Sequence, residues 1–329
     1  MNIPINLVTL YADLVQNLHM RTERPASLYQ RDIKGISYTY AKRQAGIIRR
    51  DIFIGRSDDI ETQKRVTVIE SETARASDRR KTISALKAGG IPAPTNELGL
   101  ALDALDDAGL LKSTVIVGTS AYLSYPVFIG SQLPQAALMT EDADIATMSL
   151  ALTADVEGDS FETVLKRADP TYAGMLGLTP RAFPSRFRAK SGFTVDLLTP
   201  VLRRDDPNPI AIRGLQAAAA TLQFLRWLIE SPVQAASLFA SGQPIRIPQP
   251  ARYAIHKLII AQRREHDLIK RSKDLAQAKA LIDALKRRDP FALEDARDSA
   301  LEEGEGWRVP IERSLKELGL DAEFEVVAS

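Results

Sequence analysis

A chain of 329 residues, 45% hydrophobic and 26% charged, has the length for two or three packed units and the composition of an ordinary folded protein, not of a disordered one. Its bases and acids nearly cancel at a formal charge of +1, so any nucleic-acid affinity must come from local basic patches. The absence of cysteine excludes disulfides, thiolate nucleophiles and cysteine-held zinc, and three histidines are too few for a histidine-rich metal centre.

The opening stretch MNIPINLVTLYADLVQNL has neither a basic leader nor a small-residue cleavage site, and no apolar run approaches the roughly 20 residues that span a bilayer. A cytoplasmic protein with no membrane contact is expected. Leu7, Leu10, Leu14 and Leu18 recur at helical spacing, which predicts an amphipathic packing helix. Alternation at Ile36, Tyr38 and Tyr40, then Ile48, Ile52 and Ile54 after a turn at Gly46, predicts a small antiparallel sheet. Ser57 or Asp58 suits the N-cap of a charged helix that runs to Gly89-Gly90, where Pro92 and Pro94 break the pattern and mark a domain boundary.

Thr95 caps the next predicted helix, from Asn96 to Ala108, and VIVGTSAY reads as a buried strand, a tight turn at Gly118 and a helix start carrying Thr119 and Ser120. Strands are predicted over Met139 to Ala146 and Phe193 to Leu198. RGLQAAAATLQFLRWLIE, apolar on most sides, reads as a buried helix; two more are predicted from Arg252 to Arg271 and from Lys273 to Arg288, the second stopped by Asp289-Pro290. These elements give an α+β chain in three parts: an N-terminal helix, small β-sheet and long helix over 1–92, a core over 93–202 and a helical C-terminal domain over 203–329.

Three acids stand out in the core. Asp142 and Asp144 in TEDADIA are two apart, so on a strand they share a face. Asp196 in GFTVDLLTP interrupts an apolar strand whose other face is Phe193, Val195 and Leu197, and a desolvated carboxylate of that kind needs a partner that a metal can supply. Oxygen ligands suit Mg2+ or Mn2+, and two such ions can activate a hydroxyl and stabilise a leaving pyrophosphate. Backbone N–H groups at Gly118, Thr119 and Ser120 suit phosphate oxygens. An isolated Asp-x-Asp is commonly just a solvated strand edge; the order of the pieces carries the weight.

That order, a strand ending in Gly118-Thr119-Ser120, then Asp142-Ala143-Asp144, then Asp196, resembles the active-site core of nucleotidyltransferases of the DNA polymerase β superfamily. Two departures stand beside the resemblance: Thr119 replaces a glycine, and the long interval from Ser120 to Asp142 implies an insertion around Phe128 to Gln135. Further along, PARYAIHKLIIAQRREHDLIKRSKDLAQAKALI is similar to the C-terminal segment of bacterial nucleotidyltransferases related to AbiEii-type toxins. The resemblance implies a polymerase β-like fold, a nucleoside triphosphate as substrate and a metal held by Asp142, Asp144 and Asp196. It also implies Lys257 and Lys273 on the nucleotide phosphates, and Asp274 assisting catalysis. Relatives include toxins that add nucleotides to tRNA 3′ ends, and kinship alone implies a toxin or defence role and an antitoxin or other protein partner. It does not identify the acceptor; RNA, with tRNA as one candidate, is expected from the three aspartates together with the basic flanks.

Lys257, Arg264 and Arg271 are seven apart, which on one continuous helix forms a cationic stripe able to bind triphosphate or RNA, although basic residues more commonly just solvate a helix face. His256 fits a structural histidine, or one that supports a ligand from behind, better than a ligand itself. Tyr38, Tyr40, Lys42, Arg43, Arg49 and Arg50 mix rings and cations as a nucleic-acid surface does, and as ordinary cross-strand packing does too; Arg75, Arg79, Arg80, Lys81 and Lys87 follow on the long helix. The expected activity is Mg-dependent transfer of a nucleoside monophosphate to RNA. Transfer to a protein or small-molecule hydroxyl, and an inactive RNA-binding or partner-binding scaffold, are the alternatives.

Overall fold

The computed structural model describes residues 2–134, 147–152, 158–175, 182–201, 208–264 and 266–320. Helix α1 (Ile5–His19) buries Tyr11, Leu14 and Leu18, as the leucine spacing predicts. Three antiparallel strands follow, β1 (Ser27–Ile33), β2 (Ile36–Ala45) and β3 (Ile48–Arg56), in the order β1-β2-β3. β1 escaped prediction because SLYQRDI is mostly exposed and lacks a buried face to impose alternation. The long helix α2 (Ile60–Ala88) starts one or two residues later than predicted, because Asp59 is the residue whose carboxylate accepts from the Thr62 N–H at 2.9 Å.

Helix α3 (Asn96–Asp107) is capped by Thr95 as expected, and Gly109 leaves it at φ +75°. It leads into β4 (Thr114–Val117), α4 (Gly118–Tyr122) and α5 (Tyr125–Phe128). The predicted strand from Met139 to Ala146 lies outside the described residues; β5 is described over Thr147–Leu152. After α6 (Phe161–Lys166) come β6 (Ala173–Gly174), β7 (Arg186–Arg188), β8 (Thr194–Pro200), β9 (Ile210–Ile212) and β10 (Ala217–Leu222). The larger sheet runs β4-β5-β8-β10-β9 and is mixed: β5, β8 and β10 are parallel to one another, while β4 and β9 are antiparallel to their neighbours. β7 pairs with the first residues of β8.

The predicted helix over RGLQAAAATLQFLRWLIE is corrected. Residues Arg213–Leu215 form a 3-10 turn, Ala217–Leu222 is β10, and α7 is only Leu225–Ile229. β10 is an interior strand with Ala217, Ala218 and Ala219 all buried, so its apolar run has no alternation to distinguish it from a buried helix. Next comes a hairpin, β11 (Val233–Ser237) and β12 (Gln243–Ile247), which the sequence reading also missed. The C-terminal part is helical: α8 (Pro250–Gln262), α9 (Leu268–Arg288), α10 (Pro290–Glu302) and α11 (Glu305–Glu317). The helix predicted from Arg252 to Arg271 is in fact two, because the Asp267 side chain caps the Lys270 N–H at 3.0 Å and starts a new helix. Among the described residues no helix is long and apolar enough to cross a membrane.

Contacts cross the expected boundary near residue 92. One core cluster joins Tyr11, Leu14 and Leu18 of α1 and Ile83 and Leu86 of α2 to Val127, Ala236 and Leu238. Ion pairs tie the segment after α1 and strand β3 to α3: in the interior Arg24 reaches Asp103 at 2.6 Å and Arg21 reaches Asp106 at 2.7 Å, and the partly exposed Arg50 of β3 reaches Asp107 at 2.9 Å. Gly46, between β2 and β3, donates its N–H to Asp103 and takes φ +61°; a Cβ there would sit 2.4 Å from the Arg167 carbonyl oxygen, so the turn needs glycine. Arg43 pairs with Glu23, and Arg79 with Glu72 in the interior. Arg43, Arg50 and Arg79 therefore serve the fold, and the cations available to a partner are fewer than the sequence suggests.

Candidate active site

β4 is buried throughout, and its register sets Val117 beside Ser149 of β5. The parallel register of β5 with β8 sets Ser149 beside Asp196. Val117, Ser149 and Asp196 therefore form one row across three strands, which puts Asp196 about 10 Å from Val117 at the usual strand spacing. Gly118 follows at φ +67°, a conformation that favours glycine although the space around it is open. Helix α4 starts at once, with Thr119 and Ser120 in its first turn; its N-cap, Val117, has no side-chain oxygen to offer the first N–H groups.

The C-terminal helices reach this turn through Tyr253. Its hydroxyl bridges the Gly118 carbonyl oxygen at 3.0 Å and Gln277 Oε1 at 3.1 Å, so α8, α9 and the start of α4 meet at one atom. One turn along α8, Lys257 lies over the Tyr253 ring, 5.3 Å from its centroid, and its ammonium is bonded to Asp274. Arg264, from the connector after α8, holds the other Asp274 oxygen at 2.5 Å. Asp274 is 3% exposed and Lys257 8%, so this is an interior ion cluster open to solvent through Arg264. Tyr253→Phe is expected to lower stability to urea by about 1 kcal/mol, the usual worth of such a bond, with the ring packing kept.

Lys273, next to Asp274, is half-buried, and burial together with the charge of Lys257 pushes it down to about 8; it forms no ion pair among the described residues. His256 is pushed down to about 3, first by desolvation and then by Lys257, and so stays a neutral structural ring, as expected for it. The stripe of Lys257, Arg264 and Arg271 is corrected by the break between α8 and α9. Lys257 and Arg264 converge on Asp274, whereas Arg271 pairs with Glu317 at 2.5 Å.

Asp196 faces Arg186 across the β7–β8 pair, and the guanidinium takes both carboxylate oxygens at 2.6 and 2.8 Å. The partner that its position in an apolar strand demands is thus an arginine. Val195 and Leu197, on the opposite face, are fully buried as the alternation predicts. Asp142 and Asp144 lie outside the described residues; among the described ones no three acidic or histidine side chains gather as a metal cluster. Sequence reasoning missed Tyr253, Gln277 and Arg186. The first two stand four residues before Lys257 and three after Asp274, on the same helix faces, and Arg186 mirrors Asp196 about the Ser191-Gly192 turn.

The sequence model of a protein family described as Nucleotidyltransferase matches residues 96–302, from the first turn of α3 to the end of α10 and well over half of the chain. No curated protein and no solved structure matches it. The matched span contains the turn at Gly118, the Asp196 row and the Lys257–Asp274 cluster, and on that match the chain belongs to the nucleotidyltransferase family and is a nucleotidyltransferase.

Proposed function

We propose that the chain transfers a nucleoside monophosphate from a nucleoside triphosphate to an RNA hydroxyl, in a polymerase β-like site formed by Gly118, Thr119, Ser120, Asp142, Asp144, Asp196, Lys257, Arg264, Lys273 and Asp274. The observation that carries it is the Tyr253 bridge, because it joins the turn after β4 to the cationic cluster on α8 and α9. Residues more than a hundred positions apart in sequence thereby share one region at the edge of the larger sheet.

The donor set fits a hard divalent cation, since every nominated ligand is a carboxylate. Asp196 is taken up by Arg186, but the Arg186 side chain is 55% exposed and can turn away into water without stranding a buried charge. Magnesium or manganese on Asp142, Asp144 and Asp196 would activate the attacking hydroxyl and stabilise the departing pyrophosphate. The chain's own part is to hold the triphosphate. Backbone N–H groups at the start of α4 and the cations Lys257, Arg264 and Lys273 face its oxygens, and Lys257 keeps donors to spare after bonding Asp274. Asp274 fixes Lys257 and Arg264 in position while their charges meet the phosphates.

Labelled nucleoside triphosphates incubated with the protein, magnesium and total RNA test this. Label that enters RNase-sensitive material and depends on Asp142 and Asp144 is the expected result. Label that survives RNase would reassign the acceptor to a protein or small-molecule hydroxyl.

Lys273 gives the site a pH dependence. Its ammonium is depressed to about 8 in the folded protein, so below that pH it is a cation for phosphate and above it the charge is lost. Triphosphate affinity is therefore expected to fall roughly tenfold between pH 7.5 and 9.5, the worth of one charge-assisted bond, and to stay flat in Lys273→Gln. Isothermal titration at several pH values reads it. The same shift acts on folding: the unfolded chain holds this proton up to the ordinary lysine range, so the Lys273 contribution to stability rises with pH above about 8.

A further inference from the structure

The small sheet carries its aromatic residues on the wrong side for a core. Along β2, Thr39, Ala41, Arg43 and Ala45 point inward and are buried, and Tyr38, Tyr40, Lys42 and Gln44 point outward. β1 adds Tyr29 and Arg31 to that outer face, and β3 adds Phe53, Asp51 and Arg49. Tyr29 stacks on Tyr40 with centroids 5.5 Å apart and planes 19° from parallel; Phe53 meets Tyr40 at 5.5 Å and Tyr38 at 5.9 Å, and is itself 55% exposed. Arg31 lies 5.7 Å from the Tyr40 ring and Lys42 the same distance from the Tyr29 ring. The solvent face of an antiparallel sheet is normally polar, so a continuous row of rings there gives up burial that packing would have supplied.

From this face we infer a stacking platform for the unpaired bases of single-stranded RNA. Flat π-faces with cations between them match the two features every single strand presents, exposed base faces and a phosphate backbone. Lysine is depleted from the core of protein interfaces, whereas here Lys42 lies against the Tyr29 ring itself. Asp51, the acid of this face, stands opposite Lys42 in the register and leaves Arg31 and Arg49 uncompensated by it. The platform precedes the span shared with the family, so it gives this chain an acceptor-binding surface apart from the transfer site, and it rests on the reading of RNA as acceptor.

The test is fluorescence anisotropy of the full chain with a labelled 15-mer oligouridylate, in EDTA and without nucleotide, so that binding is read without catalysis. The wild type is expected to bind saturably and more tightly than to a duplex of equal length, whose base faces are hidden. Tyr40→Ala and Phe53→Ala should each weaken binding by about tenfold, while Tyr40→Phe stays within about twofold. Lys42→Ala, an exposed position that does not endanger folding, should flatten the salt dependence by about 0.7 in log–log slope. If RNA is bound this way yet never labelled, the transfer reading fails while the platform stands. No oligouridylate binding, or binding indifferent to Tyr40→Ala, Phe53→Ala and Lys42→Ala together, would overturn it and leave the face to a protein partner.

Discussion

Asp142→Ala or Asp144→Ala is expected to reduce nucleotidyl transfer by about 10³-fold or more, with the fold intact. In this chemistry the protein supplies mainly position and charge neutralisation, and on the proposed role of both residues as metal ligands, losing one removes several kcal/mol of transition-state stabilisation at about 1.4 kcal/mol for each factor of ten. A carboxylate proposed as a metal ligand has no cation to pair with in the metal-free protein, so removing it should leave the thermal midpoint there unchanged or slightly higher. A single-turnover assay at saturating magnesium, paired with a melting curve, separates loss of chemistry from loss of structure. Transfer within tenfold of wild type in both variants would remove these residues from the metal site. Asp196→Ala differs in kind, because it also releases the half-exposed Arg186.

The largest expected effect on stability belongs to Asp274. Its carboxylate is shared by Lys257 and Arg264 in the interior, so Asp274→Ala leaves the Lys257 ammonium buried without a counter-charge, next to Lys273. Breaking a buried pair in this way costs about 3–5 kcal/mol. Lys257→Met should cost less, since Asp274 keeps Arg264, and Lys257→Met with Asp274→Leu should regain much of the loss of Asp274→Ala alone. Urea unfolding of the single and double variants gives the coupling energy directly. A loss below about 0.5 kcal/mol for Asp274→Ala would mean that the cluster is hydrated and not an interior ion pair.

Local signals were legible where one interaction decides the structure. Thr95 as a cap, Gly118 as the turn after a buried strand, and Val195 and Leu197 as the inner face of β8 all follow from a single hydrogen bond, φ angle or alternation. The strand Ala217–Leu222, with its alanines at 217–220, is not legible locally because an interior strand and a buried helix are equally apolar, and only the neighbours β8 and β9 decide between them. Of the site, Lys257 and Asp274 are named through resemblance; their mutual bond depends on how α8 packs against α9, and the Tyr253 link to Gly118 on how α8 meets the turn after β4, neither of which a local pattern encodes. The same holds for Arg186: an aspartate in an apolar strand announces that it needs a partner and leaves the choice of ion or arginine to the next strand.

The acidic edge of α3 sets a condition on how this protein can be rebuilt. Asp103, Asp106 and Asp107 belong to the span shared with the family, and Arg21, Arg24 and Arg50, which pair with them, come from the segment before it, while Arg167 within the span also reaches Asp107 at 3.4 Å. A chimera that grafts a different N-terminal segment onto this core leaves Asp103 and Asp106 in need of guanidinium partners, with Asp107 keeping only Arg167, unless matching arginines arrive with the graft. Exchange of the N-terminal segment is thus a lock-and-key problem in charge, decided at α3, whatever the transfer chemistry.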